Sequence, residues 1–317
     1  MFVAVFRSSR PLLLASPLWP QALPDTPLRV VDGGARGRVF APLDRVPAER
    51  LLVARFDPDP DAPLPTRPGE RTFRAGLWQD TSTQTLHLAR SPSTSSIYPP
   101  DQHLLEQFED RIGYPPRQTV RQLPVPCTSI DAAFAEAGLP DPDFIKLDIH
   151  SAEYEALRGA ARALAHTAVA VLVEAWPYPL HRGQHTAADV EKLLNDAGFY
   201  AFEHRERHQW PRRARAGYSK PQLVCLETLY FRSVPPPAET QAAWPAARLL
   251  KAAAVADLYG HIDYALQLLD AGLAAGTLDA ATHAAWAAFL VESNPPSRVR
   301  QYLEKALTRL TELVRDY

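Results

Sequence analysis

The chain has 317 residues, 46% of them hydrophobic and 22% charged, a composition that supports a folded globule with a real core. Its 34 basic and 36 acidic residues leave a formal net charge of -2, which argues against a general nucleic-acid binder. Two cysteines, Cys127 and Cys225, are too few for a disulfide framework or a structural zinc cluster, so a reducing cytoplasm is the expected setting. The length suits one large α/β domain with a smaller appendage, and the 31 prolines are dispersed rather than tandem, which excludes a collagen-like chain. No apolar run of about 18 residues is present, so no spanning helix is expected. Near the N-terminus, Leu12–Leu14 make an apolar patch that Pro11, Pro17 and Pro20 cut too short for a signal-peptide core. The patch reads as an arm packed on the first domain.

Strand-like runs then alternate with helical patterns. LRVVD (28–32), LLVARFD (51–57) and RTFRAGLW (71–78) predict three strands, TQTLHLA (83–89) a strand or hairpin insertion, and QTVRQLPVPC (118–127) another extended segment. SIDAAFAEAG (129–138) predicts a helix that Gly138 stops, and DFIKLDI (143–149) a buried strand. SAEYEALRGAARAL (151–164) predicts one amphipathic helix capped by Ser151. AVAVLVEAW (168–176) is the most apolar strand, TAADVEKLLNDAGF (186–199) a helix between Thr186 and Gly198, and 200–206 and 222–232 two closing strands. Strands separated by helices imply parallel crossovers, and continuously apolar strands imply a sheet covered on both faces. The last two strands, joined without a helix, imply one antiparallel strand. The expected fold is therefore an open, doubly wound, mostly parallel α/β sheet.

The composition of SVPPPAE (233–239) marks a linker. Beyond it four helical patterns follow, the last carrying an apolar stripe from Val299 to Val314. The expected organisation is a main domain over 1–235 and a small helical domain over 236–317, which packs on the main domain or dimerises.

Ligands of open α/β sheets bind at the carboxyl ends of the strands. The first strand ends in Asp32-Gly33-Gly34-Ala35-Arg36-Gly37, a tight turn that lets a ligand approach the backbone. The second ends in Asp57-Pro58, placing a carboxylate where both ribose hydroxyls of a nucleoside cofactor can donate to it. The dinucleotide spacing G-x-G-x-x-G is missing, which fits a cofactor without phosphates, such as S-adenosylmethionine, with Asp32 near its ammonium. A structural turn with a surface acid is the plainer alternative.

The segments VVDGGARG, FDPDPDA, STSSIYPP, PVPCTSIDAAFAEAGLPDPDFIKLDIHSAEYEALRGA, VLVEAWPYPLHRGQHTAADVEKLLNDAGF and QLVCLETLYFR follow one another over about residues 28–232. In this order they resemble the FkbM-type methyltransferases, which use S-adenosylmethionine on a Rossmann-like sheet. The resemblance implies the strand order 3-2-1-4-5-7-6 and methylation of a hydroxyl on a sugar, glycan or natural-product scaffold. Three departures stand out. Gly33 replaces an apolar residue of the family, Arg38 stands near a second common glycine, and His150-Ser151 replaces the end of D-x-x-G. They also motivate an alternative, a module that binds cofactor without turnover and assembles through its helical tail.

The resemblance assigns Asp32, Gly34 and Gly37 to the methionine end of the cofactor and Asp57 to the ribose. Asp80 either approaches the adenine amino group or is a solvated loop acid. Ser95 and Ser96 either line the pocket or form a hydroxyl-rich turn. Asp148, His150 and Glu174 are the catalytic candidates. Asp148 ends the fourth strand beside the transferred methyl, Glu174 ends the fifth at the acceptor wall, and His150 is either a general base or a surface histidine at a helix start. His181 and Arg182 are further candidates for the acceptor wall. This chemistry requires no metal, and the pairs His181/His185 and His204/His208 lie outside the expected helices, so their spacing does not join two imidazoles. The stretch 204–220 carries Arg205, Arg207, Arg212, Arg213, Arg215 and Lys220, and reads as a groove for an anionic acceptor or as a solvated basic loop.

Overall fold

A computed structural model describes residues 10–37, 39–63, 68–213, 216, 218–234 and 244–295. In chain order its strands are β1 (Leu28–Gly33), β2 (Leu51–Phe56), β3 (Glu70–Phe73), β4 (Gly76–Leu77), β5 (Ser82–Ala89), β6 (Thr119–Thr128), β7 (Phe144–Leu147), β8 (Ala170–Ala175), β9 (Phe199–Trp210) and β10 (Gln222–Arg232). Seven of them form one sheet in the order β3-β2-β1-β7-β8-β10-β9. The first five of these pair in parallel, and β10 runs antiparallel to both β8 and β9. Counted within this sheet alone, the strands follow 3-2-1-4-5-7-6. The full chain order differs because a second, three-stranded sheet, β4-β6-β5, is inserted between β3 and β7. The single strand expected over 71–78 is thus two strands in two sheets. Arg74 marks the break: its guanidinium donates to the carbonyls of Asp59, Pro60 and Ala62 and ties the end of β3 to the preceding loop.

Alternation along the strands sends Val30, Val53, Phe144 and Leu172 to one face, and Val31, Ala54, Ile145, Val171 and Val173 to the other. The helices in chain order are α1 (Leu18–Ala22), α2 (Gln102–Leu105), α3 (Tyr114–Arg117), α4 (Ile130–Glu136), α5 (Glu153–Arg158), α6 (Ala161–His166), α7 (Ala187–Asp196), α8 (Ala246–Tyr259), α9 (Ile262–Ala274) and α10 (Ala280–Ser293). Helices α4 to α7 supply Ile130, Phe134, Ala156, Leu157, Leu164, Val190 and Leu194 to the second face. Among the described residues, no long helix lies between β1 and β2, only short 3-10 turns. The first face is covered instead by Leu12–Leu14, Trp19 and α8, and it shares one hydrophobic core with α9 and α10. Buried charges pin this helix: Lys251 Nζ lies 2.7 Å from Asp143, and the Leu13 amide donates to Asp257 at 2.8 Å. The apolar stripe from Val299, residues 235–239 of the linker and Arg38 lie outside the described residues.

The helix expected over 151–164 is broken in two, and Ser151 is not its cap. Helix α5 starts at Glu153 after Ala152, because His150 and Ser151 both take left-handed backbone, with φ of 55° and 89°. Helix α6 starts anew because the Asp131 carboxylate accepts the amides of Arg162 and Ala163 at 2.7 and 3.1 Å. In α7 the expected cap holds, with the Thr186 amide and hydroxyl both donating to Asp189 at 2.8 Å. Both cysteines are free and buried. No helix among the described residues is long and apolar enough to cross a membrane.

Candidate active site

A cleft of about 540 Å³ opens at the carboxyl ends of β1, β2, β7 and β8. Its floor is the turn after β1. Gly34 takes φ of +76° there, and the turn folds back so that the amides of Gly34 and Ala35 both donate to the Phe56 carbonyl, at 3.0 and 3.1 Å. Before it, Gly33 packs so closely that a β-carbon would stand 3.0 Å from Leu147 and from Leu77. Leu77, Leu147 and Ile149 thereby fill the space of the apolar side chain that this position lacks.

Asp32 is buried and its Oδ1 accepts no hydrogen bond. Lys146 Nζ lies 3.5 Å from that oxygen, and Arg55 Nε lies 3.7 Å from the other. Burial pushes the Asp32 carboxyl above its usual range, against the opposing pull of Lys146 and Arg55. Lys146 also donates to the Gly33 carbonyl at 3.3 Å and to Asp148 at 3.4 Å. Desolvation works against its charge, but Asp148 and Asp32 outweigh it and hold the ammonium above its ordinary pKa. Asp57 ends β2 and accepts the Asp59 amide at 2.9 Å and Arg36 Nε at 3.1 Å. Arg36 also pairs with Asp59, so one guanidinium bridges two carboxylates in the lining of the cleft. Burial raises the Asp57 carboxyl, and the Asp59 amide and Arg36 oppose it.

Beyond Lys146 lie Asp148, His150 and Glu174. His150 Nδ1 is 3.7 Å from both carboxylates, and its ring packs edge-on to Trp176. The Asp148 side chain is 42% exposed, so its carboxylate is reachable from the cleft. Desolvation acts to raise its pKa, but His150 and Lys146 overcome this and hold it below the usual range. Glu174 is mostly buried, and its Oε2 has no hydrogen-bond partner. Burial and the nearby Asp148 charge push its carboxyl up, to about 8. The left-handed pair at 150–151 is held from several sides. Ser96 Oγ donates to the His150 carbonyl at 2.5 Å, the Ser151 hydroxyl bonds His181 Nδ1 at 2.8 Å and Gln184 at 3.1 Å, and Glu153 accepts the Ile149 amide at 2.9 Å.

Asp32, Gly34, Asp57, Ser95, Ser96, Asp148, His150 and Glu174 thus line one cleft. Gly37 and Asp80 are not among its lining residues. Gly37 donates to the Pro63 carbonyl at 3.2 Å, and Asp80 is an exposed residue following β4. His181 is buried behind Ser151, and Arg182 stands at the surface, 3.7 Å from Asp101. Of the stretch 204–220, Glu206 and His208 reach the cleft, whereas none of its described arginines does. Arg205 pairs with Glu227, Arg212 with Gln222 and Gln107, and Arg213 with Asp110, while Arg215 lies outside the described residues. Lys146, Arg36, Asp59 and Glu227 were not singled out as site residues, and Glu206 and His208 only as members of the stretch 204–220. A single lysine in the apolar run FIKL was the one available signal, since a cation in a central strand needs a buried partner.

Residues 29–200 match the Methyltransferase FkbM domain. This is more than half of the 317 residues, and the chain belongs to the FkbM methyltransferase family. S-adenosylmethionine is the cofactor of that chemistry, and the buried Asp32 carboxylate, whose Oδ1 accepts no hydrogen bond and has Lys146 Nζ 3.5 Å away, suits a cationic ligand. Two solved structures are similar. One is the methyltransferase FkbM from Methylobacillus flagellatus KT, at 18% identity over 65% of this chain and 44% of that one, with a TM-score of 0.34. The other is magnesium protoporphyrin IX methyltransferase (ChlM) from Synechocystis PCC 6803 with bound SAM, at 15% identity over 68% of this chain and 74% of that one, with a TM-score of 0.29. The chain therefore spans 44% of the length of the first. No curated protein matches the sequence.

Proposed function

We propose that this protein is an O-methyltransferase that moves the methyl group of S-adenosylmethionine to a hydroxyl of a sugar, glycan or natural-product acceptor. The observation that carries the reading is the meeting of Asp32, Gly34 and Asp57 with Asp148, His150 and Glu174 in one cleft at the strand ends. Asp32 Oδ1 accepts from the cofactor's ammonium, the Gly34 turn lies under its amino-acid portion, and Asp57 accepts from the ribose hydroxyls. Arg36 must share or release Asp57 for this, since it occupies the same carboxylate. Bound in this way, the cofactor supplies a methyl group on a positively charged sulfur.

An aliphatic hydroxyl is a poor nucleophile while it keeps its proton. His150 is the group that takes that proton, an aid typically worth about 10²–10⁴-fold in rate. Asp148 and Glu174 flank the ring, and the Asp148 carboxylate stabilises it once charged. Holding acceptor oxygen, methyl carbon and sulfur in line supplies the rest, up to about 7–11 kcal/mol in the best cases. The charge of the cleft supports a neutral or cationic acceptor over the anionic one suggested by the basic stretch. Asp32, Asp57, Asp59, Asp148, Glu174, Glu206 and Glu227 face it, against Arg36 and Lys146.

Calorimetric titration with S-adenosylmethionine and its demethylated product, followed by methyl transfer to a panel of hydroxylated acceptors, tests this reading. Micromolar binding of both and product with at least one polyol acceptor are expected. Absence of heat with either ligand at high protein concentration overturns it. Tight binding without transfer to any acceptor favours the alternative module without turnover.

A further inference from the structure

We propose that Asp148, His150 and Glu174, with His208 beside them, form a binding site for one divalent transition-metal ion on the acceptor side of the cleft. The ligand atoms of the first three all lie within 4.8 Å of one another. Asp148 Oδ1 and Glu174 Oε2 each stand 3.7 Å from His150 Nδ1. Nitrogen and oxygen ligands bound at about 2.0–2.2 Å in a tetrahedral site lie roughly 3.3–3.6 Å apart, so the two distances to His150 are within a few tenths of an ångström of a bound geometry. Glu174 faces both ways: its Oε1 lies 3.9 Å from His208 Nε2, and Glu174, His208 and Cys225 make a second group of the same spacing.

Two features point to a ligand rather than to a chance cluster. The first is Glu174 Oε2, an oxygen shielded from solvent that has no hydrogen-bond partner and has His150 Nδ1 3.7 Å away. The second is the division of labour on Asp148, whose Oδ2 is engaged by Lys146 at 3.4 Å while Oδ1 is left toward His150. Mixed imidazole and carboxylate donors suit zinc or manganese, whereas magnesium and calcium favour oxygen alone. All four side chains line the cleft, so the remaining coordination positions are open to an acceptor oxygen.

The inference rests on the reading of this end of the cleft as the acceptor side and changes how the hydroxyl is activated there. With the ion bound, His150 Nδ1 is a ligand and no longer takes the proton at that atom. A hydroxyl on the ion is acidified and releases its proton to water. Its oxygen then bonds to the methyl carbon as the carbon–sulfur bond breaks, and the electron pair of that bond stays on sulfur.

The test is titration of the full chain with Mn²⁺ in the absence of cofactor, read by calorimetry and by loss of the free-ion electron paramagnetic resonance signal. One ion per chain is expected, with binding weakened at least tenfold in Glu174→Gln and in His150→Ala when both variants keep the wild-type circular dichroism spectrum. Should Glu174→Gln fail to fold, Asp148→Asn probes the same set and the same loss is expected. No saturable binding of Mn²⁺, or equal affinity in the folded variants, overturns the site. A separate titration with S-adenosylmethionine keeps the two readings apart. A chain that binds Mn²⁺ as expected but no cofactor retains the ion site and loses the methyltransferase reading. One that binds cofactor but no Mn²⁺ retains the methyltransferase reading and loses the ion site.

Discussion

A β-carbon on Gly34 would stand 1.9 Å from the carbonyl oxygen of Asp148. The turn after β1 and the residue following β7 are therefore pressed together, and both line the cleft. Gly34 also needs φ of +76°, which a residue with a β-carbon adopts at a cost of about 1–2 kcal/mol. Gly34→Ala is expected to combine that strain with a backbone clash and to abolish cofactor binding. Calorimetry would show it, and affinity within threefold of wild type would refute the close approach.

The sheet was legible because its strands are short apolar runs ended by acids, and because the helices between them carry ordinary caps and stops. Thr186 with Asp189 and Gly138 with φ of +63° are examples. The acids at 32, 57, 148 and 174 were legible for the same reason: each follows or ends a strand at the end where such sheets bind ligands. The sites that escaped depend on contacts distant in sequence. Nothing local announces that Arg36 reaches Asp59, or that β9 extends to Trp210 and carries Glu206 and His208 to the cleft. The basic stretch left a groove and a solvated loop open, and the sequence does not show that Arg212 and Arg213 meet Gln107 and Asp110, brought in by a segment one hundred residues earlier in the chain. The break of the helix over 151–164 was hidden too, since serine is ordinarily a good cap and its left-handed backbone here is imposed by His181 and Gln184.

Asp57 offers the most direct test of the cofactor end. Asp57→Asn keeps the shape but loses the negative charge and one acceptor. The loss of a charged hydrogen bond to ribose is worth about 1.5–3 kcal/mol, so cofactor affinity is expected to fall roughly ten- to a hundredfold. The measurement is a calorimetric titration of wild type and variant with the demethylated cofactor, and an unchanged dissociation constant would remove Asp57 from the ribose site.

Ser151 carries two opposed effects. Its left-handed φ of 89° is unfavourable for a side chain, whereas its hydroxyl satisfies His181 and Gln184 in the interior. Ser151→Ala keeps the strain and strands the partners, at an expected cost of about 1–3 kcal/mol. Ser151→Gly strands the same partners but relieves the strain, so it is expected to be the more stable of the two by roughly 1 kcal/mol. Urea unfolding of both variants checks the order, and alanine proving the more stable would show that the backbone there is not strained.

His181 makes stability depend on acid. Burial, reinforced by the nearby charges of His150 and Arg117, lowers its pKa to about 3, against 6.5 for the free side chain. Below pH 6.5 the unfolded chain therefore binds a proton that the folded chain refuses. The stabilisation is complete above 6.5 and is lost as pH falls toward 3, at no more than about 1.4 kcal/mol per pH unit. His181→Gln removes this group, so its stability profile between pH 6.5 and 4.5 should be flatter than that of wild type. Parallel profiles from urea unfolding at each pH would count against a buried neutral imidazole.

The junction of α8 with the sheet yields an asymmetric prediction. Asp143 accepts from Lys251 at 2.7 Å and from Arg29 Nε at 2.9 Å, while Lys251 is 4% exposed and has Asp143 as its one ion-pair partner among the described residues. Removing the acid leaves a buried ammonium without a counter-charge; removing the lysine leaves Asp143 still paired with Arg29. Asp143→Ala is therefore expected to cost about 3–5 kcal/mol, and Lys251→Met, which keeps the apolar stem, distinctly less. Thermal and urea unfolding of the two variants decide it. Equal losses would mean that Arg29 does not sustain Asp143 once Lys251 is gone.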